Sequence, residues 1–363
     1  MGERPLKVSV SRPDELGPGE LAAWRQMTRS NPLLSNPFLS PEFSIAVGRT
    51  KPSARVAVLE EGRDVVGFFP HERGCFGVGR PIGAGVSDCQ AVIHRDGLEP
   101  SPQALHEGCG LAVWEFDHLL ADQVPFQPYH AAREGSPIMD LSEGFEGYLE
   151  QRWKASRIVR STYKKMERLE REGHSITFEL DVRDPGQLRT LIGWKSAQYR
   201  RTGRRDRFAR RWIARLVEDL FSNRSPGCAA TLSMLYIDGQ PAAGHLGLRS
   251  DSVLACWFPA YDPRFARWSP GLMLHLLMAR EAAPRGVRHL DLGKGAGEYK
   301  DALGNGDRPV AEGWVERRSP VALMRRVQRL PARCVVGFVL SRPSLRRRAR
   351  DTLRGLGALR SAT

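Results

Sequence analysis

The sequence predicts an α+β (mixed α/β) fold in two domains. Three observations lead there. The chain has 363 residues, more than one hydrophobic core usually serves. Its strand-like runs are joined by tight turns, the mark of antiparallel pairing, and helical segments alternate with them in both halves. Apolar residues make up 41% of the chain, and eight Trp, seven Tyr and fourteen Phe supply bulk for two cores.

In the first half, residues 15–29 read as a helix, followed by the Pro- and Asn-rich loop NPLLSNPFLSPEF. Residues 55–59 and 64–70 form two strands around Glu61-Gly62-Arg63, a hairpin signal. Glycines gather over 74–85 and lead through Val86-Ser87-Asp88-Cys89 to a strand-like run at 90–94. Residues 99–112 are helical and 114–119 a strand. This half closes near Ser136, and the first domain is taken as residues 1–140.

The second domain, 141–316, opens with one long helical stretch over 144–173, rich in Arg and Lys. A strand at 176–182 follows. Asp184-Pro185 caps a helix to Tyr199, which runs into a basic loop at 200–207 and a further helix at 208–221. After Pro226-Gly227 comes a meander: strands at 229–237, 242–248 and 252–260, turning at Asp238-Gly239 and Ser250-Asp251. Asp-Gly between apolar runs is a strong hairpin signal. A helix at 271–283 and a strand at 287–292 complete the order β, β, β, α, β.

The net charge of +14 suggests nucleic acid until it is located along the chain. Residues 317–363 hold thirteen Arg, no Lys and one acid, Asp351, a local +12 that leaves the remainder at +2. This third segment is an Arg-rich helical tail. Its pieces VALMRRVQRL and SLRRRARDTLRGLGAL interleave apolar residues with Arg, which suits an anionic membrane surface, an acidic partner or a solvated helix. CVVGFVL, inside the tail, falls short of the roughly 18 to 20 apolar residues that cross a bilayer. With no apolar run of signal-peptide length at 1–10, the expected location is cytoplasmic or peripheral to the inner face of the membrane. The six cysteines stand too far apart for CxxC zinc or redox pairs, and no metal is expected.

Chemistry-bearing residues concentrate at 253–304. Ser269-Pro270-Gly271 opens a helix, with Ser269 placed to cap and Pro270 in the first helical position. The free amides and positive dipole end of such a helix seat a phosphate, and Arg264 and Arg267 lie just upstream. A plainly capped helix fits the same residues. GKGAG, at 293–297, lacks the G-x-G-x-x-G spacing of a dinucleotide site. P-loop, G-x-S-x-G and H-E-x-x-H patterns do not occur.

The meander, the polar loop 261–268, Ser269-Pro270-Gly271 and HLDLGKGAGEYKDALG together resemble the GNAT N-acyltransferase superfamily. More narrowly they are similar to the CelD-like (BioF2-like) acetyltransferase domain, a distant relative of the Fem peptidyltransferases. NPFLSPEF and GAGVSDCQAVI extend the resemblance across residues 20–315. It implies two GNAT-like domains, each a mixed, mostly antiparallel sheet flanked by helices, with acetyl-CoA or another acyl-CoA as donor in the second. The donor's pantetheine would lie where the third meander strand splays from the next parallel strand, along 255–260 with Phe258. Its pyrophosphate would cap the following helix at Arg267, Trp268, Ser269, Gly271 and Leu272. Trp268 and Met273 stand where the general superfamily loop carries Gln or Arg and then a second Gly or Ala. An aminoacyl-tRNA donor, as in the Fem relatives, therefore stays open, with the basic segments 152–171 and 200–215 to grip it.

Acyl transfer to an amine needs a proton removed, a thioester carbonyl attacked, and the oxyanion and thiolate stabilised. Candidate bases are Asp291, Glu298 and His245. Strand alternation places His289 and Asp291 on one face, where a buried carboxylate needs a role or a partner such as Lys300 or Arg288. Tyr299 could protonate the leaving thiolate, and Lys300 could polarise the carbonyl or hold a phosphate. His245, in GHLGL, faces the donor gap or is a satisfied core residue. Tyr261, Asp262 and Asp88 are assigned to the acceptor, although Asp262-Pro263 is also a turn signal. The expected function is acyl-CoA-dependent N-acylation of an amine, such as an amino sugar or a polysaccharide precursor. A Fem-like aminoacyl-tRNA-dependent transferase and a catalytically idle GNAT-like module tethered by its basic tail are the alternatives.

Overall fold

The computed structural model describes residues 6–225, 227–326 and 328. The chain begins with β1 (Leu6–Ser11), α1 (Pro18–Ser30) and α2 (Pro41–Thr50). Both helices carry Pro in the first turn, and Ser40 caps α2 by accepting from the Phe43 N–H at 3.1 Å. β2 (Ala54–Glu61) and β3 (Asp64–Arg73) form the expected hairpin, with Gly62 at a φ of 68° in the turn. β4 (Val78–Pro81), β5 (Ile93–His94), α3 (Pro102–Gly108), β6 (Val113–Leu120) and β7 (His130–Glu134) follow.

Next come β8 (Pro137–Asp140), α4 (Gly144–Ala155) and α5 (Arg157–Arg171). The single helix expected over 144–173 is thus two. Ser156 adopts φ −114° and ψ 109°, ends α4, and accepts from the Val159 N–H at 3.2 Å as the N-cap of α5. A serine that bonds the backbone locally competes with helix continuation, which sets the break there. β9 (Ile176–Glu179), α6 (Pro185–Arg201) and α7 (Arg211–Ser222) lead to the meander β10 (Ala229–Ile237), β11 (Gln240–Arg249) and β12 (Val253–Tyr261). α8 (Pro270–Ala282), β13 (His289–Asp291), α9 (Glu298–Leu303), β14 (Gly306–Asp307) and β15 (Val310–Glu316) close the described fold.

These strands make two mixed, mostly antiparallel sheets flanked by helices. The first runs β1-β2-β3-β4-β6-β15-β7 with β5 beside β3, and the second β14-β8-β13-β12-β11-β10-β9. The parallel ladders among the described residues are β4 with β6 and β12 with β13. The halves exchange strands. β8 pairs with β13 in the second sheet, and β15 returns between β6 and β7 in the first. Boundaries at 140 and 316 therefore divide the chain in sequence but not in space.

One core is common to both halves. Trp24, Phe38, Phe43 and Phe68 from the first share a buried cluster with Leu191, Leu216, Leu232 and Trp257 from the second. The Trp257 indole N–H donates to the Val86 carbonyl at 2.8 Å across that junction. Burying large aromatics on both sides makes relative motion of the halves costly. Among the described residues no helix is long and apolar enough to cross a membrane. Of the Arg-rich tail, CVVGFVL and SLRRRARDTLRGLGAL lie outside the described residues.

Candidate active site

β12 and β13 are paired only at 253–255 against 289–291, and beyond that they part. On its other edge β12 carries a bulge. Gly247 faces Cys256 and Leu246 faces Phe258, so Trp257 is the extra residue, and its N–H donates to His245 Nε2 at 3.2 Å. The gap leads into a cavity of about 440 Å³. Pro259, Ala260, Tyr261, Ser269, Gly271, Leu272, His275 and Tyr299 line it, together with Lys195 of α6.

The start of α8 differs from the expected cap. Ser269 sits in the left-handed region, φ 58° and ψ 51°, and its side chain caps nothing. An N-cap side chain works from an extended backbone, which this residue lacks. The Ser269 carbonyl instead takes the Leu272 and Met273 N–H groups at 3.0 and 3.4 Å, so α8 offers fewer free amides than its sequence suggests. The Ser269 hydroxyl accepts from Lys165 Nζ of α5 at 2.7 Å, which sets an ammonium at the positive end of the α8 dipole. Gly271 leaves space in front of this point, since a Cβ there would meet only Tyr261, at 3.9 Å. Trp268 is buried and acts as a floor for cations: the Arg267 and Arg168 guanidinium groups lie 4.9 and 5.5 Å from its ring centroid.

Three assignments are corrected by packing. Phe258 is buried in the shared core against Phe208, at 4.9 Å between ring centroids, and does not line the cavity. Asp262 is a turn residue: it accepts from the Arg264 N–H at 2.9 Å and pairs with the Arg264 guanidinium at 2.7 Å. Glu298 lines a separate cleft beside Arg152 and Arg157 rather than the cavity at Tyr299.

Asp88 and Asp291 line a second, small pocket with Asn36, Ser136 and His289, and neither belongs to the wall that holds Tyr299. Asp291 is buried and fully engaged, accepting from Asn36 Nδ2 at 2.9 Å, Ser136 Oγ at 3.1 Å and the Gly293 N–H at 2.9 Å. Burial raises its pKa against the pull of those donors and of Lys300. The Lys300 ammonium holds the glycine turn by donating to the Gly293 and Lys294 carbonyls at 2.7 and 2.8 Å, and burial lowers its pKa. Burial pushes the Tyr299 hydroxyl up to about 12. Asp88 comes from the first half, 3.9 Å from His118 Nε2, and its charge reaches Tyr299 and Lys300. Burial raises the Asp88 pKa against the attraction of His118 and Arg207.

His245 is fully buried and is not part of the cavity wall; its neighbour His275 is. Lys195 donates to the Pro259 carbonyl at 2.8 Å, and burial lowers its ammonium to about 8. His275, Lys195 and Lys165 escaped the sequence reading. Helical period alone does not say which lysine of the Lys164-Lys165 pair turns toward α8, and His275 reads as core within an apolar helix.

Residues 156–301 match the model of the acetyltransferase (GNAT) domain. The chain carries a GNAT domain. That domain contains the whole wall of the cavity, from Lys195 to Tyr299. FemX is similar in structure, at 10% identity over 81% of this chain and 94% of that one, with a TM-score of 0.56. The C-terminal domain of a putative lysylphosphatidylglycerol synthetase from Agrobacterium fabrum matches at 12% identity over 85% and 94%, TM-score 0.51. L-PGS from Bacillus licheniformis matches at 12% identity over 86% and 96%, TM-score 0.50. At such identities the likeness is one of fold alone. No curated protein matches the chain. GNAT domains in general use acyl-CoA as co-substrate.

Proposed function

We propose that the protein transfers an acyl group from acetyl-CoA or another acyl-CoA to the amine of an acceptor such as an amino sugar or a polysaccharide precursor. The observation that carries this reading is the start of α8, where Lys165 meets Ser269 on the wall of a cavity that Tyr299 also lines. The donor's diphosphate would sit at that helix end with Lys165 and Arg267, opposite charges meeting where the dipole favours an anion. Its pantetheine would pass Tyr261 and Leu272 toward His275. The acceptor enters from the side of Asp88, whose carboxylate suits an ammonium group, beside the phenol of Tyr299.

A second reading, an aminoacyl group carried on tRNA, is favoured by one feature: α5, the helix whose Lys165 reaches Ser269, exposes Arg157, Lys164, Arg168 and Arg171. Thermal-shift titration with acetyl-CoA, longer acyl-CoAs and desulfo-CoA separates the two. Stabilisation by all three classes supports the acyl-CoA reading, and no shift with any of them overturns it. Binding of charged tRNA that weakens steeply with salt would establish the second.

A further inference from the structure

Two buried histidines of the GNAT domain leave complementary ring nitrogens unpaired. His245 Nε2 accepts the Trp257 N–H, so the neutral ring carries its proton on Nδ1. His275, 4% exposed, sets Nδ1 2.7 Å from the Gly271 carbonyl. A carbonyl only accepts, so the neutral His275 ring is protonated on Nδ1 and bare at Nε2. Neither His245 Nδ1 nor His275 Nε2 has a hydrogen-bond partner. The two rings are 5.8 Å apart between centroids, and the Tyr299 ring is 5.9 Å from His275. Leaving a donor and an acceptor unpaired inside a core costs about 1–3 kcal/mol each.

Resting on the acyl-CoA reading above, we infer that His275 carries the proton of the transfer reaction and that His245 is its positioning residue. As the acceptor nitrogen bonds to the thioester carbonyl carbon, its proton passes to His275 Nε2. When the carbon–sulfur bond breaks, the same proton moves to the departing sulfur. The products are the amide and the free thiol, and the ring ends neutral. The Gly271 carbonyl holds Nδ1–H through both steps, so the ring never has to turn over. Burial of the ring, whose centroid is 5.8 Å from that of His245, disfavours a lasting cation on His275. The proton is handed on rather than kept.

The test uses the full chain with acetyl-CoA as donor and hydroxylamine as the amine, reading thiol release. His275→Gln lowers kcat by about 10²-fold, the usual scale for a lost general base, with KM for acetyl-CoA within twofold. His245→Gln lowers kcat by about tenfold with the same unchanged KM, the loss of one positioning contact. Unchanged kcat in His275→Gln overturns the inference. In the unsubstituted protein at neutral pH, ring ¹⁵N shifts report a proton on His275 Nδ1 and none on Nε2; a proton on Nε2 overturns it without reference to any variant. If the unsubstituted protein is not stabilised by acetyl-CoA, the acyl-CoA reading is what fails. Stabilisation together with full activity in His275→Gln fails the histidine pair alone.

Discussion

The side-chain amide of Asn36 donates to the Asp291 carboxylate at 2.9 Å, joining residues 255 apart in the chain. Asp291 ends β13, the strand from which β12 parts, and Ser136 and Gly293 occupy its other oxygen. The edge of the gap is thereby fastened to the first half. Asn36→Ala should lower unfolding stability by about 1–3 kcal/mol in urea titrations, the cost of leaving a buried charged acceptor short of a donor. Asp291→Asn should cost at least as much, since its new NH₂ would face the Asn36 donor or those of Ser136 and Gly293. A variant as stable as the parent would mean the carboxylate is not part of this junction.

The start of α8 makes a separate prediction. A side chain at Gly271 has room to form, so Gly271→Asp should fold normally while placing a carboxylate beside Lys165. Acetyl-CoA affinity should fall by more than 100-fold in that variant and by about tenfold in Lys165→Ala, the scale of one charge-assisted contact. Isothermal titration of both variants checks it. Unchanged affinity would move the diphosphate away from this helix.

Acid should unfold the protein through its histidines. His71, His106, His245, His275 and His289 are all buried, and burial lowers each pKa, to about 4 for His71, His106 and His289. The unfolded chain then binds more protons between pH 4 and 6.5. The stabilisation is complete above 6.5 and is lost as pH falls toward 4, at up to about 1.4 kcal/mol per pH unit for each ring. Asp88 and Asp291, raised by burial, act with the opposite sign and offset part of the slope. Urea unfolding at several pH values should show the loss, and His71→Leu should reduce the slope by about 1.4 kcal/mol per unit. The parent slope in that variant would exclude His71.

Phe76 concerns the tail. It holds φ 57° and ψ 24°, unusual for a residue with a side chain, and is 80% exposed. It lines one cleft with Met324 and Arg325 at the start of the Arg-rich segment, beside exposed Leu323. A tether to an anionic bilayer would insert this patch. Co-sedimentation with phosphatidylglycerol vesicles should weaken about tenfold in Phe76→Ser, the scale of burying one aromatic ring, without altering acetyl-CoA stabilisation. Equal binding to neutral vesicles would remove the arginines from the account.

Much of the second half was legible because its signals are local. Asp238-Gly239 takes φ values of 52° and 72°, the paired left-handed turn that this dipeptide favours, and the three-strand meander follows from it. The alternation of β13 correctly put Asp291 on a buried face. The bulge at Trp257 was not legible, and one extra residue reverses the facing of everything beyond it in β12, Phe258 included. Strand exchange by β8 and β15 was likewise invisible, since a four-residue and a seven-residue run do not carry the address of their partners.

Turn preferences, helix starts and the clustering of charge thus sufficed to locate the meander, the helix that follows it and the concentration of Arg after residue 316. The meeting of Lys165, Lys195 and His275 around one cavity, and the capture of Asp291 by Asn36, came from packing. Contacts between segments 100 residues or more apart depend on how whole elements bury their apolar faces together, and no short window of sequence holds that information.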